Sequence, residues 1–321
     1  MILVTGGTGF IGTHLLERLT GAGELVRALV RRSRQPRTLP EGVEVAYGDL
    51  ATGEGLDAAL QGADSVIHLA GVTKALHTTD YYTGNVHATE QLARALAGRG
   101  VRLVHVSSLA AIGPAAPGTP VSEDAEPRPL THYGKSKLEA ERVVRDLAPD
   151  AVIVRPPVVY GPRDTDVFQL LKSISKGLVL EIAGGERWFQ AIYVKDLVDG
   201  LVAALRAPEA AGRSYFLAHA TPVSWRQLSD TAATFMRKKP RVVTVPVGVA
   251  DAVGACAEVW ARLTGKPGII SREKVAEARC MAWTCDTHRA ARELNFIAST
   301  GLQRGLAETL TWYKEAGWLT Y

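Results

Sequence analysis

The sequence predicts an α/β protein: a doubly wound parallel sheet followed by a smaller C-terminal lobe. Three observations predict it. Ile2, Leu3 and Val4 form a short apolar run of the kind found in strands buried on both faces. Residues 5–12, TGGTGFIG, make a glycine-rich turn that opens a helix, in which Ile11, Leu15, Leu16 and Leu19 recur at helical spacing. Strand-like and helix-like segments then alternate through the first half of the chain, the pattern of a parallel sheet with helical crossovers.

Bulk properties narrow the class further. The 321 residues suit one large domain or two modest ones, and 46% hydrophobic with 22% charged residues is ordinary for a soluble globular chain. A net charge of +4 without a long basic block gives no sign of a nucleic-acid partner. Three cysteines, Cys256, Cys280 and Cys285, show no paired spacing and read as reduced thiols, so neither a disulfide framework nor a metal site is expected. The N-terminus enters a strand at once and no apolar run reaches the ~20 residues needed to span a bilayer, so a cytoplasmic location is expected.

The glycine-rich turn sets up an anion site. A helix N-terminus offers unpaired N–H groups and a partial positive charge. Gly6 permits the tight turn, Gly9 lets the backbone approach an anion, and Gly12 lets the helix lie against the strand. Such a loop holds the pyrophosphate of a dinucleotide. Residues 24–30 read as the second strand. It ends in Arg31 and Arg32, with Arg34 and Arg37 close behind and no acid nearby. An acid at that place receives the 2′-OH of NAD, whereas arginine pairs with the 2′-phosphate of NADP. NADP is therefore the expected cofactor, with NAD as the alternative.

Residues 43–47, 65–69 and 101–106 are the next strands, with helices at 55–62 and 85–98. The glycine loop, Arg31, Asp49, Ala70 and Ser108 all fall at strand C-termini, the rim along which such sheets bind ligands. Residues 113–130 are rich in proline and glycine and read as a long functional loop. It ends at Thr131, ahead of a helix running to about residue 147 on which Tyr133 and Lys137 project from one face. A free tyrosine, with a pKa of about 10, is a poor base at neutral pH. A neighbouring ammonium favours its phenolate, which is expected to make Tyr133 a usable acid/base, with the Ser108 hydroxyl holding the substrate oxygen.

These motifs resemble the extended short-chain dehydrogenase/reductase superfamily, which includes nucleotide-sugar epimerases, dihydroflavonol reductases and 3β-hydroxysteroid dehydrogenases. The matches are TGGTGFIG at 5–12, GDL at 48–50, HLAG at 68–71, NVHAT at 85–89, VSS at 106–108, YGKSK at 133–137, RPPVVYGP at 155–162 and IYVKDLVDGL at 192–201. The resemblance implies a Rossmann-type sheet and the catalytic trio Ser108, Tyr133 and Lys137, with Asn85 in support. It implies a cofactor site that also includes Thr8, Phe10, Ile11, Leu50, Leu69, Gly71, Pro156, Val158 and Val159. The loop after the sixth strand, at 156–159, would line the nicotinamide end. One departure stands out: Ile112 occupies the place before Gly113 where many nucleotide-sugar members carry tyrosine, so a polar sugar contact becomes an apolar surface.

Beyond Tyr160 the alternation lapses. A helix at 164–177, a strand at 191–194, helices at 196–205 and 221–236, and a strand at 215–217 are expected. The expected division is a dinucleotide-binding domain at 1–163, to which 191–220 returns, and a substrate-binding lobe built mainly from 164–190 and 221–321. All six tryptophans lie in the second half. Residues 246–263 form an unusually apolar helix with Val249, Val253, Cys256 and Trp260 on one stripe. That stripe reads as core packing, as an apolar substrate pocket, or as contact with a membrane surface or a second subunit. Ile112 and Trp260 are the candidate substrate residues. A helix at 302–316, with Leu302, Leu306 and Leu310, reads as plain packing.

The expected function is hydride transfer between a nicotinamide cofactor and a carbonyl or secondary alcohol of a largely apolar small molecule. The alternatives are a nucleotide-sugar epimerase or dehydratase that keeps its cofactor bound and, from another class, a dinucleotide-sensing scaffold. The intact trio speaks against the scaffold, since a sensor needs only the loop.

Overall fold

The computed structural model describes residues 1–32, 39–265, 268 and 271–321; Arg34 and Arg37 of the basic stretch lie outside the described residues. β1 (Ile2–Thr5) leads to α1 (Phe10–Gly21), β2 (Val26–Val30) and β3 (Val43–Tyr47). α2 (Leu56–Leu60) and β4 (Ser65–His68) precede α3 (Thr78–Tyr81), a π-helical turn (Tyr82–His87) and α4 (Ala88–Leu96). Then come β5 (Arg102–Val106), α5 (His132–Leu147), β6 (Val152–Val154), β7 (Val158–Tyr160) and α6 (Val167–Ser175). β8 (Leu178–Ile182), β9 (Trp188–Phe189), β10 (Ala191–Tyr193), α7 (Val194–Arg206), β11 (Ser214–Tyr215) and β12 (Val223–Ser224) follow. The chain closes with α8 (Trp225–Phe235), β13 (Arg241–Val245), α9 (Val247–Thr264), α10 (Arg272–Arg279), β14 (Ala282–Trp283), α11 (His288–Glu293) and α12 (Leu302–Glu315).

Seven strands form the expected parallel sheet, in the order β11-β6-β5-β4-β1-β2-β3. The alternation of β1 divides the core. Ile2 and Val4 pack with Leu15, Leu16 and Leu19 of α1 and Leu197 and Leu201 of α7. Leu3 points to the other face, against Leu60, Leu92, Leu96 and Val144. Strand order reverses between β1 and β4, and a crevice opens at the C-terminal ends of strands at such a switch point. A second apolar cluster joins α6, α8 and α12 through Leu171, Ile174, Leu228, Leu306, Leu310 and Tyr313. The Tyr313 ring stacks on Trp318 at 5.5 Å between centroids.

Three differences from the sequence expectation concern local structure. The helix expected at 85–98 begins at Thr78 and carries a π-helical turn before α4. Val158 and Val159 lie in β7, which pairs in parallel with β10, and not in a loop. The pairs β8–β13 and β12–β9–β14 were not expected; β9, β12 and β14 have two residues each, too short for a period-two pattern to register.

Candidate active site

Sterics single out the glycine loop. Gly6 sits at φ +73°, and a Cβ there would lie 2.6 Å from the Ala70 nitrogen. A Cβ on Gly12 would lie 2.2 Å from the Gly6 oxygen. The turn is thus pressed against the end of β4 and the first turn of α1, where only glycine fits. α1 begins without a side-chain cap and without an acid in its first turn, leaving its N-terminus for an anionic ligand. The cradle fits a dinucleotide pyrophosphate. Asp49 is turned to its own loop, accepting the Ala51 N–H at 2.9 Å. Arg31 and Arg32 are exposed at the end of β2, and the Arg32 guanidinium lies over the Tyr47 ring at 5.2 Å. Thr8, Phe10, Ile11, Leu50, Leu69 and Gly71 line the same end of the sheet as partly or fully exposed positions.

α5 brings Tyr133 and Lys137 to this rim. Its N-cap is Thr131, whose Oγ1 accepts the Gly134 N–H at 3.1 Å. Lys137 is buried, and its Nζ donates to the Val106 carbonyl at 2.7 Å, at the end of the strand that carries Ser108. Burial lowers the Lys137 pKa to about 8, with Glu141 opposing the shift. Tyr133 differs from the expectation: desolvation pushes its phenol upward, a hydrogen bond with Ser108 opposes this, and Lys137 is not among the groups that move it. The ammonium expected to act on Tyr133 is engaged by a backbone carbonyl instead. Lys274 of α10 exerts the favourable charge that Lys137 was expected to supply.

The π-helical turn gives Asn85 its place. Such single-turn bulges often mark functional positions. The buried Asn85 accepts the Val72 N–H at 2.7 Å and donates to the Val72 carbonyl at 3.0 Å and to Ser136 Oγ at 2.9 Å. Ser136 in turn donates to the Tyr133 carbonyl at 2.8 Å, so Asn85 ties the end of β4 to the turn of α5 that bears the tyrosine. Under the rim, His68 is buried, hydrogen-bonded to Thr5 and Thr89, and held neutral by desolvation with its pKa near 3. The Arg155–Glu141 pair is also buried, at 2.6 Å, and Arg155 donates to the Glu123 carbonyl of the long loop at 3.0 Å.

Two expected substrate residues are not brought to the trio. Ile112 is buried with Leu109, Phe216, Ala218 and Cys285, and it lines a cavity of about 250 Å³ with Glu123, Leu138 and Arg155 beneath the long loop. The short 3-10 helix Leu109–Ala111 turns it inward, away from the rim. Trp260 is 69% exposed on the outer side of α9. Pro156 is buried and its carbonyl accepts the Leu109 N–H at 2.9 Å, bracing the serine loop from behind.

Sequence reasoning missed the groups that face Tyr133 from other elements. The Tyr81 ring of α3 stands 6.3 Å from that of Tyr133. From α10, the Glu273 carboxylate accepts the His132 N–H at 2.8 Å, and Glu277 accepts from Thr131 Oγ1 at 3.2 Å and from Lys274 Nζ at 2.8 Å. The contacts of Glu273 and Glu277 with α5 span 141 and 146 residues of sequence and belong to no motif, so spacing could not have found them.

A dinucleotide cradle at a switch point, with tyrosine, lysine and serine gathered at the adjoining strand ends, defines a nicotinamide-dependent enzyme. The model of the NAD dependent epimerase/dehydratase family matches residues 2–218. The chain belongs to that family, within the extended short-chain dehydrogenase/reductase superfamily. It is 32% identical to the ceramide reductase of Caulobacter vibrioides over 99% of this chain and 96% of that protein. It is 30% identical to the 4-hydroxy-2-methyl-3-oxo-4-farnesyl-3,4-dihydroquinoline-1-oxide ketoreductase of Stigmatella aurantiaca, over 94% of this chain and 93% of that one. Among solved structures, MoeE5 in complex with UDP-glucose and NAD superposes with a TM-score of 0.79 at 26% identity, covering 98% of this chain and 99% of MoeE5.

Proposed function

We propose that this enzyme is an NADP-preferring ketoreductase acting on a carbonyl or secondary alcohol in a molecule that carries a long hydrocarbon chain. The observation that carries this reading is the full-length likeness, at 30% identity or above, to two reductases whose names specify ceramide and a farnesyl-bearing ketone. The two exposed arginines at the end of β2, with no acid beside them, support NADP. A bound nicotinamide supplies or accepts the hydride. The Tyr133 hydroxyl delivers the proton to the substrate oxygen, and Ser108, which acts on the Tyr133 phenol from the end of β5, holds that oxygen. Lys137, fixed on the Val106 carbonyl, lies under the rim where a nicotinamide ribose would sit. Asn85 and Ser136 fix the turn of α5 that aims the phenol.

A second reading, an epimerase that retains its cofactor on a nucleotide sugar, is favoured by the charged groups Lys274, Glu273 and Glu277 beside Tyr133. Spectrophotometric consumption of NADPH and NADH over ketones of increasing chain length separates the two. The expected result is net NADPH turnover with affinity rising along the series, each buried methylene contributing about 0.8 kcal/mol. Tyr133→Phe should lower turnover ~10²- to 10⁴-fold with cofactor affinity kept. Arg31→Asp should weaken NADPH roughly 10- to 100-fold while sparing NADH. No net turnover, with micromolar binding of a nucleotide sugar, would put the epimerase reading first.

A further inference from the structure

α9 wears its amphipathicity inside out. Val249, Val253, Cys256, Trp260 and Leu263 follow one another at steps of four and three, so they share one face of the helix. That face is turned to solvent: Val249 is 52%, Val253 47%, Trp260 69% and Leu263 77% exposed, with Val259 at its border at 57%. The opposite side buries Ala250 and Gly254 against α10, where a Cβ on Gly254 would touch Val275 at 3.1 Å. Both acids of the helix are drawn to that inner side. Asp251 pairs with Arg279 at 3.2 Å, and Glu258 accepts the Arg272 N–H at 2.9 Å.

The flanking chain is basic. Arg237, Lys238, Lys239 and Arg241 precede α9, and Arg262 lies near its end; none of the five forms an ion pair among the described residues. From residue 237 to 265 these five cations stand against two acids, Asp251 and Glu258, both already paired. β13 and its partner β8 add exposed Leu180, Val242 and Val243 beside the basic run. An uncharged face bearing tryptophan, flanked by unpaired cations and short of free acids, matches a membrane interface with anionic headgroups. It matches a second copy of this chain poorly, since a two-fold contact would bring like charges together.

We propose that the outer face of α9, with the basic stretch at 237–241, docks on the surface of an anionic phospholipid bilayer. No helix among the described residues is long and apolar enough to cross a membrane, so the contact is peripheral. α10 lies between this face and the catalytic helix, bonded to His132 and Thr131 through Glu273 and Glu277. Docking therefore sets the Tyr133 end of α5 one helix away from the face that meets the lipid surface. Docking follows from α9 and the basic stretch before it, whatever the substrate; its bearing on a chain-bearing substrate rests on the function proposed above.

Flotation of the full-length protein with vesicles tests the proposal. One set of vesicles is phosphatidylcholine alone and the other is phosphatidylcholine with phosphatidylglycerol. The expected result is co-flotation with the phosphatidylglycerol vesicles, weakened by salt. Val253→Asp with Leu263→Asp should reduce partitioning at least ~10-fold, with the melting temperature measured alongside to confirm folding. Lys238→Glu with Lys239→Glu should reduce binding to the anionic vesicles only. Absence of flotation with both compositions, or flotation unchanged in folded variants of both kinds, overturns the proposal. A concentration-dependent dimer that the Val253/Leu263 variant dissociates, without vesicle binding, overturns it in favour of a second copy. Because flotation is read without turnover, its outcome is separate from whether the enzyme reduces ketones.

Discussion

α1 and α9 are both helices with one apolar stripe and one charged side, and the molecule uses them in opposite senses. α1 buries Leu15, Leu16 and Leu19 against the sheet. It sends Glu17 and Arg18 outward to pair with Arg163 and Asp199, each at 2.7 Å. α9 buries two small residues, keeps its acids on the packed side, and leaves its large apolar groups in solvent. A hydrophobic period therefore tells that a helix has two faces without telling which one meets the protein. The neighbour decides. The sheet offers α1 an apolar surface, while α10 offers α9 the arginines Arg272 and Arg279 and a close approach at Gly254.

If that contrast is right, the largest effect belongs to α1. Leu16 has no exposed surface and packs in the cluster between α1, β1 and α7. Leu16→Ala should lower unfolding free energy by roughly 2–5 kcal/mol, read from urea denaturation. A loss below about 1 kcal/mol would mean that the α1 stripe is no better packed than that of α9, and the comparison would fail.

Charge placement sharpens it next. Whereas α9 holds its acids in half-exposed pairs, α5 holds Lys137 fully inside. Its pKa is lowered from 10.5 to about 8 by burial. Between those values the unfolded chain binds more protons than the folded one, so stability rises with pH across that window and is lost as pH falls toward 8. The shift of 10.5 − 8 = 2.5 units corresponds to ~3 kcal/mol at most. Lys137→Met should abolish this slope in denaturation curves taken from pH 8 to 10.5. Parallel slopes in the two proteins would mean that Lys137 reaches water.

Much of the sheet half was legible because its constraints are local. Gly6 and Gly12 stand where a side chain would strike backbone, and such positions leave glycine in the sequence whatever surrounds them. Ser108, Tyr133 and Lys137 were legible as a strand end and an i, i+4 pair. The direction of the tyrosine shift was not, because it is set by desolvation of the phenol under side chains from distant elements, with the Lys274 charge of α10 only opposing it. Ile112 was misplaced for a related reason. Its distance along the chain from Ser108 is short, but the intervening 3-10 turn reverses it into the core. Spacing measures proximity and is silent on direction once the backbone leaves a regular element.

The smallest expected effect is the most telling about α9. Tryptophan buried in a core is worth about 3–5 kcal/mol on truncation. Trp260 leaves 69% of its surface in solvent and its indole nitrogen makes no hydrogen bond among the described residues. Its backbone carbonyl, which accepts the Thr264 hydroxyl at 2.9 Å, is kept by any substitution. Trp260→Ser should therefore change the unfolding free energy in lipid-free buffer by no more than about 0.5 kcal/mol, as for other surface sites. A loss near 3 kcal/mol would place the indole in packed surroundings, return α9 to the core or to a substrate cleft, and remove the apolar surface on which docking depends. A null effect on stability leaves a large aromatic group that the folded chain does not need for its own sake. Together with Val253 and Leu263 it is then free to meet a partner outside the chain, and the cations that precede α9, with Arg262 near its end, say which charge that partner carries.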